Sequence, residues 1–230
     1  TEASPFTLPS GLSCKTGNEY CRALVRWAMT ASGARIGWLG EFQLRGQDLW
    51  LIPRCMLEGE TFSAVKPMRM EIGPGREIFQ HGQSLYVEDL PLRYPQASQL
   101  LALNAKAYIG IPLQGQGGAP LGQIALLLDG PLADPIPLLD ALYEQRERAA
   151  IELQRLANDD ALRLAEVAFN THDGLLVMDH GGIILKVNDS FSRITGFASE
   201  EMLGQHIEAL RPTYYGDSLK EEVIAAVDEQ

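Results

Sequence analysis

The side chains able to attack, ligate or carry a proton occur singly in this chain, without the spacing that would make them machinery. Cys14, Cys21 and Cys55 form neither a CxxC pair nor an even framework, which predicts reduced, buried thiols in a cytoplasmic setting. His81, His172, His180 and His206 include no HExxH and no i,i+4 pair that would put two ligands on one helix face, so no metal site is predicted. Ser10, Ser63 and Ser190 lack the strained GxSxG elbow or the positioned base that makes a hydroxyl nucleophilic. Residues 115–118 are glycine-rich but lack the lysine and helix entry of a phosphate loop, and read as a hairpin turn. Asn188-Asp189-Ser190 matches a glycosylation acceptor, yet its position suits capping of a helix. No catalytic residue is therefore predicted, and the chain is not expected to be an enzyme by itself.

A pocket is the candidate site that remains. Ligand cavities are mainly apolar with a few polar anchors. Trp38, Phe42, Phe62, Met68, Met70, Phe79, Tyr86 and Tyr108 supply apolar walls, with Arg69, Arg76 and His81 as anchors. The other reading makes these side chains plain core.

The elements that must position these residues can be read from periodicity. Cys21, Leu24, Val25, Ala28 and Met29 recur at helical spacing and predict a helix over 18–32, ended by Gly33, that lies against a sheet. Runs at 35–42 and 49–57 flank a turn-prone segment and read as a hairpin, with Pro53 at an edge or a bulge. Residues 58–70 read as part strand, part loop. A turn at 73–75 leads to a short helix through Phe79 and a strand at 84–87. Residues 98–103 form a helical turn, and strands at 108–112 and 122–128 enclose the glycine-rich turn. About six antiparallel strands flanked by helices result. Pro135 and Pro137 open a long helix over 138–169, where Ala149, Leu153 and Leu156 step by four and three and suit either a coiled-coil seam that Leu142 extends or an ordinary docked connector helix. Beyond it, 175–179 and 183–187 flank His180-Gly181-Gly182 as a second hairpin. Asn188 caps one short helix and Ser199 another, and Ser218-x-x-Glu221 is a capping box for a terminal helix.

Two hundred and thirty residues suit two domains. The expected division is an arm at 1–17, a first domain at 18–137, a connector helix at 138–163 and a second domain at 164–230. A net charge of −11 repels phosphate backbones and anionic lipid, so nucleic acid is not an expected partner. No apolar run approaches the ~20 residues of a bilayer span, and no membrane association is expected. The chain opens on Thr1-Glu2 without a signal-peptide pattern and reads as a piece of something longer.

Residues 18–156 resemble a GAF domain: a helix, a hairpin, a long ligand-facing segment, then Tyr108-Ile109-Gly110-Ile111-Pro112-Leu113 paired with Pro120-Leu121-Gly122-Gln123-Ile124. Residues 75–86, with Tyr94-Pro95, are similar to the GAF variant of bacterial multidomain signalling proteins. Gly73-Pro74-Gly75-Arg76 stands where related sequences often carry a cysteine. Residues 164–230 resemble a PAS domain through Asp173-Gly174, Met178-Asp179, Val187-Asn188, Phe191, Ile194-Thr195-Gly196-Phe197, Glu200-Glu201 and Leu203-Gly204. PAS domains carry three further strands after the last helix, so this unit reads as C-terminally truncated, with its pocket open or borrowed from a partner chain.

The fold class implied is α+β: a GAF-like antiparallel sheet flanked by helices, a long connector helix, and a partial PAS-like unit. The pairing resembles the input half of bacterial sensors whose outputs are cyclic-dinucleotide enzymes or histidine kinases. It implies a cytoplasmic regulatory fragment acting by repacking of the connector, as a homodimer through Leu142, Ala149, Leu153 and Leu156, with a small-molecule ligand. The cofactor is unknown: His206 after Gly204-Gln205 reads as exposed rather than haem-bound, no cysteine follows Asn188 for flavin, and none sits in a bilin attachment context. Glu208-Ala209-Leu210 spells a cyclic-dinucleotide phosphodiesterase triplet, but such chemistry needs a metal-bearing barrel of ~250 residues. The alternatives are a GAF-type thiol-dependent methionine sulfoxide reductase and a ligand-free dimerisation scaffold.

Overall fold

Helical spacing of apolar residues builds the first element. In α1 (Gly17–Ser32), Tyr20, Cys21, Leu24, Val25, Ala28 and Met29 are buried in one stripe, and Gly33 ends the helix at φ 68°, a left-handed conformation that suits glycine. The computed structural model describes Phe6 and residues 8–169 and 171–210. They fall into two units, Thr1–Asp159 and Asp160–Gln230.

The first unit is built on a seven-stranded sheet rather than the expected six strands. Its strands are β1 (Ile36–Arg45), β2 (Asp48–Glu58), β3 (Thr61–Phe62), β4 (Met68–Arg69), β5 (Leu85–Val87), β6 (Ala107–Gln114) and β7 (Pro120–Leu128). All pairings are antiparallel, in the order β3-β2-β1-β7-β6-β5, with β4 also on β2. The extra count comes from residues 58–70, which form β3 and β4 as two two-residue strands. Short helices α2 (Pro74–His81), α3 (Leu90–Arg93) and α4 (Ser98–Ala102) interrupt the strands, and a 3-10 turn at Leu12–Cys14 precedes α1. The long helix α5 (Ile136–Phe169) follows.

Pro53 lies at a bulge. Leu39 faces Cys55 while Gly40 faces Pro53, so Arg54 is the extra residue of β2. Because side chains alternate with period two, one extra residue exchanges the faces. Leu51 therefore joins the core with Ile36, Trp38, Tyr108, Ala125 and Leu127, while Cys55 and Leu57 join the opposite core with Leu39, Ile109, Ile111, Ile124 and Leu126.

These two cores are the two faces of one sheet. One packs against α1 and the N-terminal two-thirds of α5; the other packs against α2 and the segments around α3 and α4. On the α5 side, Leu138, Leu142, Ala149 and Leu153 are buried. The Glu152 carboxylate accepts from Gly17 N–H at 2.7 Å, placing a negative charge at the N-terminus of α1. Arg148 donates to the carbonyls of Ser13 and Lys15 and lies over the Tyr20 ring.

The second unit has, among the described residues, a two-stranded sheet of β8 (Leu176–Met178) and β9 (Ile184–Val187), with α6 (Asp189–Thr195), α7 (Ser199–Met202) and a 3-10 turn at Ile207–Leu210. Ile184, Val187, Phe191 and Met202 form its core. Asn188 caps α6 as expected, but the residue capping α7 is Ala198, whose N–H donates to Glu201. The Asn188 side chain makes four hydrogen bonds: Oδ1 accepts from Leu175 and Phe191 N–H, and Nδ2 donates to the carbonyls of Phe169 and Asp173. It thereby ties the last residue of α5 to the segment leading into β8 and to α6. The capping box at Ser218-x-x-Glu221 and its helix lie outside the described residues.

Candidate functional site

The pocket on the α2 face of the sheet is the best-formed candidate site. Its floor is Trp38 of β1, Leu51 of β2, Tyr108 of β6 and Gln123 of β7; its wall is the segment 68–75 and its rim Ala97, Gln99 and Leu100. About 50 Å³ is open to water centres, within an envelope of about 440 Å³ that includes the mouth. One water needs roughly 10–15 Å³ of such space, so the cavity has room for a small molecule. Neighbouring strands bring the floor together: Trp38 pairs with Ala125, two residues from Gln123, and Tyr108 with Leu127.

The polar groups on this floor are uncharged. Trp38 is 3% exposed and Gln123 fully buried. Tyr108 O–H donates to Gln123 Oε1 at 3.1 Å, and burial raises the phenol pKa well above its usual value, so the proton stays on oxygen and needs that acceptor. The bond turns the Gln123 amide so that its Oε1 is used. Gln123 Nε2 and Trp38 Nε1 have no hydrogen-bond partner among the described residues. A buried N–H left unmade costs about 1–3 kcal/mol, so two of them at one cavity mark a place where an acceptor belongs.

Charge sits at the mouth. Arg69 pairs with Asp48 at 2.7 Å, and Glu71 accepts from Ser98 Oγ at 2.9 Å. The α2 helix begins at the cavity, with Gly73 as a cap that offers no side-chain acceptor. Gly75 has to be glycine there: a Cβ would stand 2.1 Å from Met70 Cε and 3.2 Å from Gln123 Nε2.

The residues expected to form a pocket are only partly brought together. Trp38, Met68, Met70 and Tyr108 line the cavity, with Arg69 at its edge. Phe42 and Phe79 pair edge to face at 5.3 Å on the same face of the sheet but outside the lining. Arg76 lies on α2 away from the lining, and His81 is exposed in its last turn. Phe62 and Tyr86, expected in the pocket, instead pack on the opposite face of the sheet. Phe62 lies under the guanidiniums of Arg22 and Arg26, and the Tyr86 hydroxyl accepts from Leu132 N–H. The connector residues pack inward. Leu142, Ala149 and Leu153 are fully buried in the first unit's own core with Leu156 packed on it, so those side chains are spent within the chain. Gln123 and Leu51 were missed, although a lone glutamine ahead of the apolar run 124–128 was a usable signal.

The thiols lie away from this site. Cys21 and Cys55 belong to the α1/α5 face and Cys14 is exposed. Burial pushes both buried thiols up to about 12, with each one's neighbours a smaller influence. A nucleophilic cysteine needs the opposite shift. Among the described residues no three His, Cys, Asp or Glu side chains are placed to hold a metal ion, and no helix is long and apolar enough to cross a membrane.

Comparison with known proteins bears on both units. The PAS fold family matches residues 162–229. The GAF domain of an Acinetobacter phosphoenolpyruvate-protein phosphotransferase is similar in structure, with a TM-score of 0.51 at 11% identity, over 66% of this chain and 90% of that one. A free methionine-R-sulfoxide reductase from Neisseria meningitidis, solved with its substrate, has a TM-score of 0.50 at 13% identity, over 64% and 84%. A protein in a far-red absorbing dark state with bound biliverdin IXα has a TM-score of 0.51 at 11% identity, over 64% and 95%. No curated protein matches in sequence. At such identities these likenesses establish fold and nothing more. The chain has a GAF-like fold in its first unit, and residues 162–229 match the PAS fold family.

Proposed function

We propose that this chain is a cytoplasmic, non-catalytic input segment of a bacterial signalling protein whose output is a cyclic-dinucleotide enzyme or a histidine kinase. A small molecule in the α2-face cavity biases how α5 packs on the other face. The single observation that carries this reading is the adjacency of Gln123 and Gly122. Gln123 forms part of the cavity floor, while the preceding residue, Gly122, lies so close to α5 that a Cβ there would meet Leu153 Cδ2 at 2.8 Å. A shift of β7 that accommodates a ligand moves the strand under α5. Such a ligand acts only through a difference in affinity for two packings of that helix. The end of α5 is in turn held by the Asn188 carboxamide, which gives the PAS-like region a fixed grip on the lever.

The homodimer belongs to the outer surface of α5. Ile151 there is 68% exposed. An Ile151→Lys substitution is expected to convert a dimer to a monomer in sedimentation without lowering the melting temperature. The thiol-reductase reading is disfavoured because Cys21 and Cys55 lie on the face opposite the cavity.

The test of the sensor reading is native mass spectrometry of molecules that co-purify, followed by hydrogen exchange with and without the bound species. Altered exchange in α5 on binding is expected. A bound molecule that left α5 unchanged would overturn the proposal, and a cavity that binds nothing would favour the scaffold reading.

A further inference from the structure

The orphaned donors specify a ligand chemistry. We infer that the cavity takes a small, uncharged molecule with an apolar body and one carbonyl-type oxygen, which accepts from both Trp38 Nε1 and Gln123 Nε2. This rests on the sensor reading of the same cavity and deepens it.

The polarity follows from what the floor offers. Both unpartnered groups are N–H donors on side chains at least nine-tenths buried. Because the Tyr108 proton occupies Gln123 Oε1, the amide presents its donor side. The uncapped start of α2 at Gly73 and Pro74 adds the positive end of a helix dipole, which again favours an acceptor oxygen. A carbonyl oxygen has two lone pairs, enough for both donors. A ligand ammonium or hydroxyl proton would find the floor's donors facing it.

Charge at the cavity mouth argues for a neutral head over a carboxylate. The cation lining the cavity, Arg69, is paired with Asp48 at 2.7 Å, and Glu71 adds a negative charge at the same mouth. A carboxylate pushed onto a floor of uncharged donors would have no counter-ion there, and burying an unpaired charge costs several kcal/mol. A neutral carbonyl avoids that cost. The remaining surface, Leu51, Met68, Met70 and Leu100, suits a branched or short aliphatic body, with the two thioethers able to adjust to its shape.

The experiment uses three probes that share a branched apolar body and differ in the head: methyl isobutyl ketone, isovalerate and isoamylammonium. Calorimetry on the whole chain should rank the ketone above the carboxylate and the carboxylate above the ammonium. Trp38→Phe and Gln123→Met each remove one donor and should weaken ketone binding about three- to tenfold. Protection of Cys21 and Cys55 from thiol reagents reports that each variant is folded; if one fails to fold, the other carries the test. Ammonium or carboxylate binding at least as tight as the ketone would overturn the inference, as would absence of ketone binding at millimolar concentration or affinity unchanged in both variants. The two readings fail separately. A charged probe that binds and alters α5 exchange would refute the ligand class and keep the sensor, whereas a bound ketone without effect on α5 would do the reverse.

Discussion

The two faces of the first unit's sheet are built to different rules. The face under α1 and α5 is filled by interlocked aliphatic side chains, with Leu138, Leu142, Ala149 and Leu153 fully buried. Its charged groups are used up on helix ends, as in Glu152 to Gly17 and Arg148 to Ser13 and Lys15. The face under α2 is covered by short helices and the two-residue strand β4, and it keeps a cavity with two unpartnered donors. A dry helical face gives stability and a fixed reference for α5, whereas a face covered by short segments can open for a ligand at lower cost.

Core truncation should break the comparison most visibly. Leu153→Ala removes a fully buried side chain from the packed face and should cost about 2–5 kcal/mol in denaturant unfolding. Met70→Ala, half-buried at the cavity wall, should cost on the order of 1 kcal/mol because space is already present beside it. Equal losses would mean that the faces are packed alike.

The thiols sharpen it next. Cys21 and Cys55 ionise near 12 when folded against an ordinary value of 9.0. The unfolded chain therefore releases these protons first as pH rises. Stability from this source is fully present below pH 9.0 and is lost between there and about 12. A Cys21→Ala, Cys55→Ala double variant should show a flatter alkaline limb in stability against pH. In the native protein, thiol reagents should titrate Cys14 rapidly and the other two only after denaturation.

Smaller effects distinguish the polar groups of the cavity floor. Tyr108→Phe leaves Gln123 Oε1 buried without its donor and should cost about 1–2 kcal/mol. Trp38→Phe deletes an N–H that has no partner, so thermal unfolding should shift by less than about 1 kcal/mol in either direction. A Trp38→Phe loss as large as that of Tyr108→Phe would show that the indole N–H is paired in the native state.

Legibility from sequence followed the same division. The α1 stripe and the paired strands around residues 108–128 were readable because periods of 3.6 and two leave a local imprint. The PAS-like hairpin and the Asn188 cap were readable from local turn and capping chemistry. The pocket was not, because its composition depends on which face each strand presents. The bulge at Arg54 keeps the odd-numbered residues of β2 buried while moving them from one core to the other, and no periodicity reveals that. Phe62 and Tyr86 lie outside the pocket because short strands at sheet edges carry too few residues for the sequence to show which face they present. Leu142, Ala149 and Leu153 have the spacing of a seam, and a helix docked on its own sheet uses that spacing as readily as one paired with a second chain. Gln123 stands out in sequence as a polar residue ahead of a buried run, but that signal declares neither its partner nor its cavity.

The central claim is that the cavity floor and α5 are mechanically joined through β7. Hydrogen exchange on wild type and Gln123→Leu tests it most directly. Altered exchange should appear in β7 and in α5 around Leu153, with α1, on the same face as α5, unchanged. Altered exchange confined to α2 and the segments lining the cavity would contradict the account.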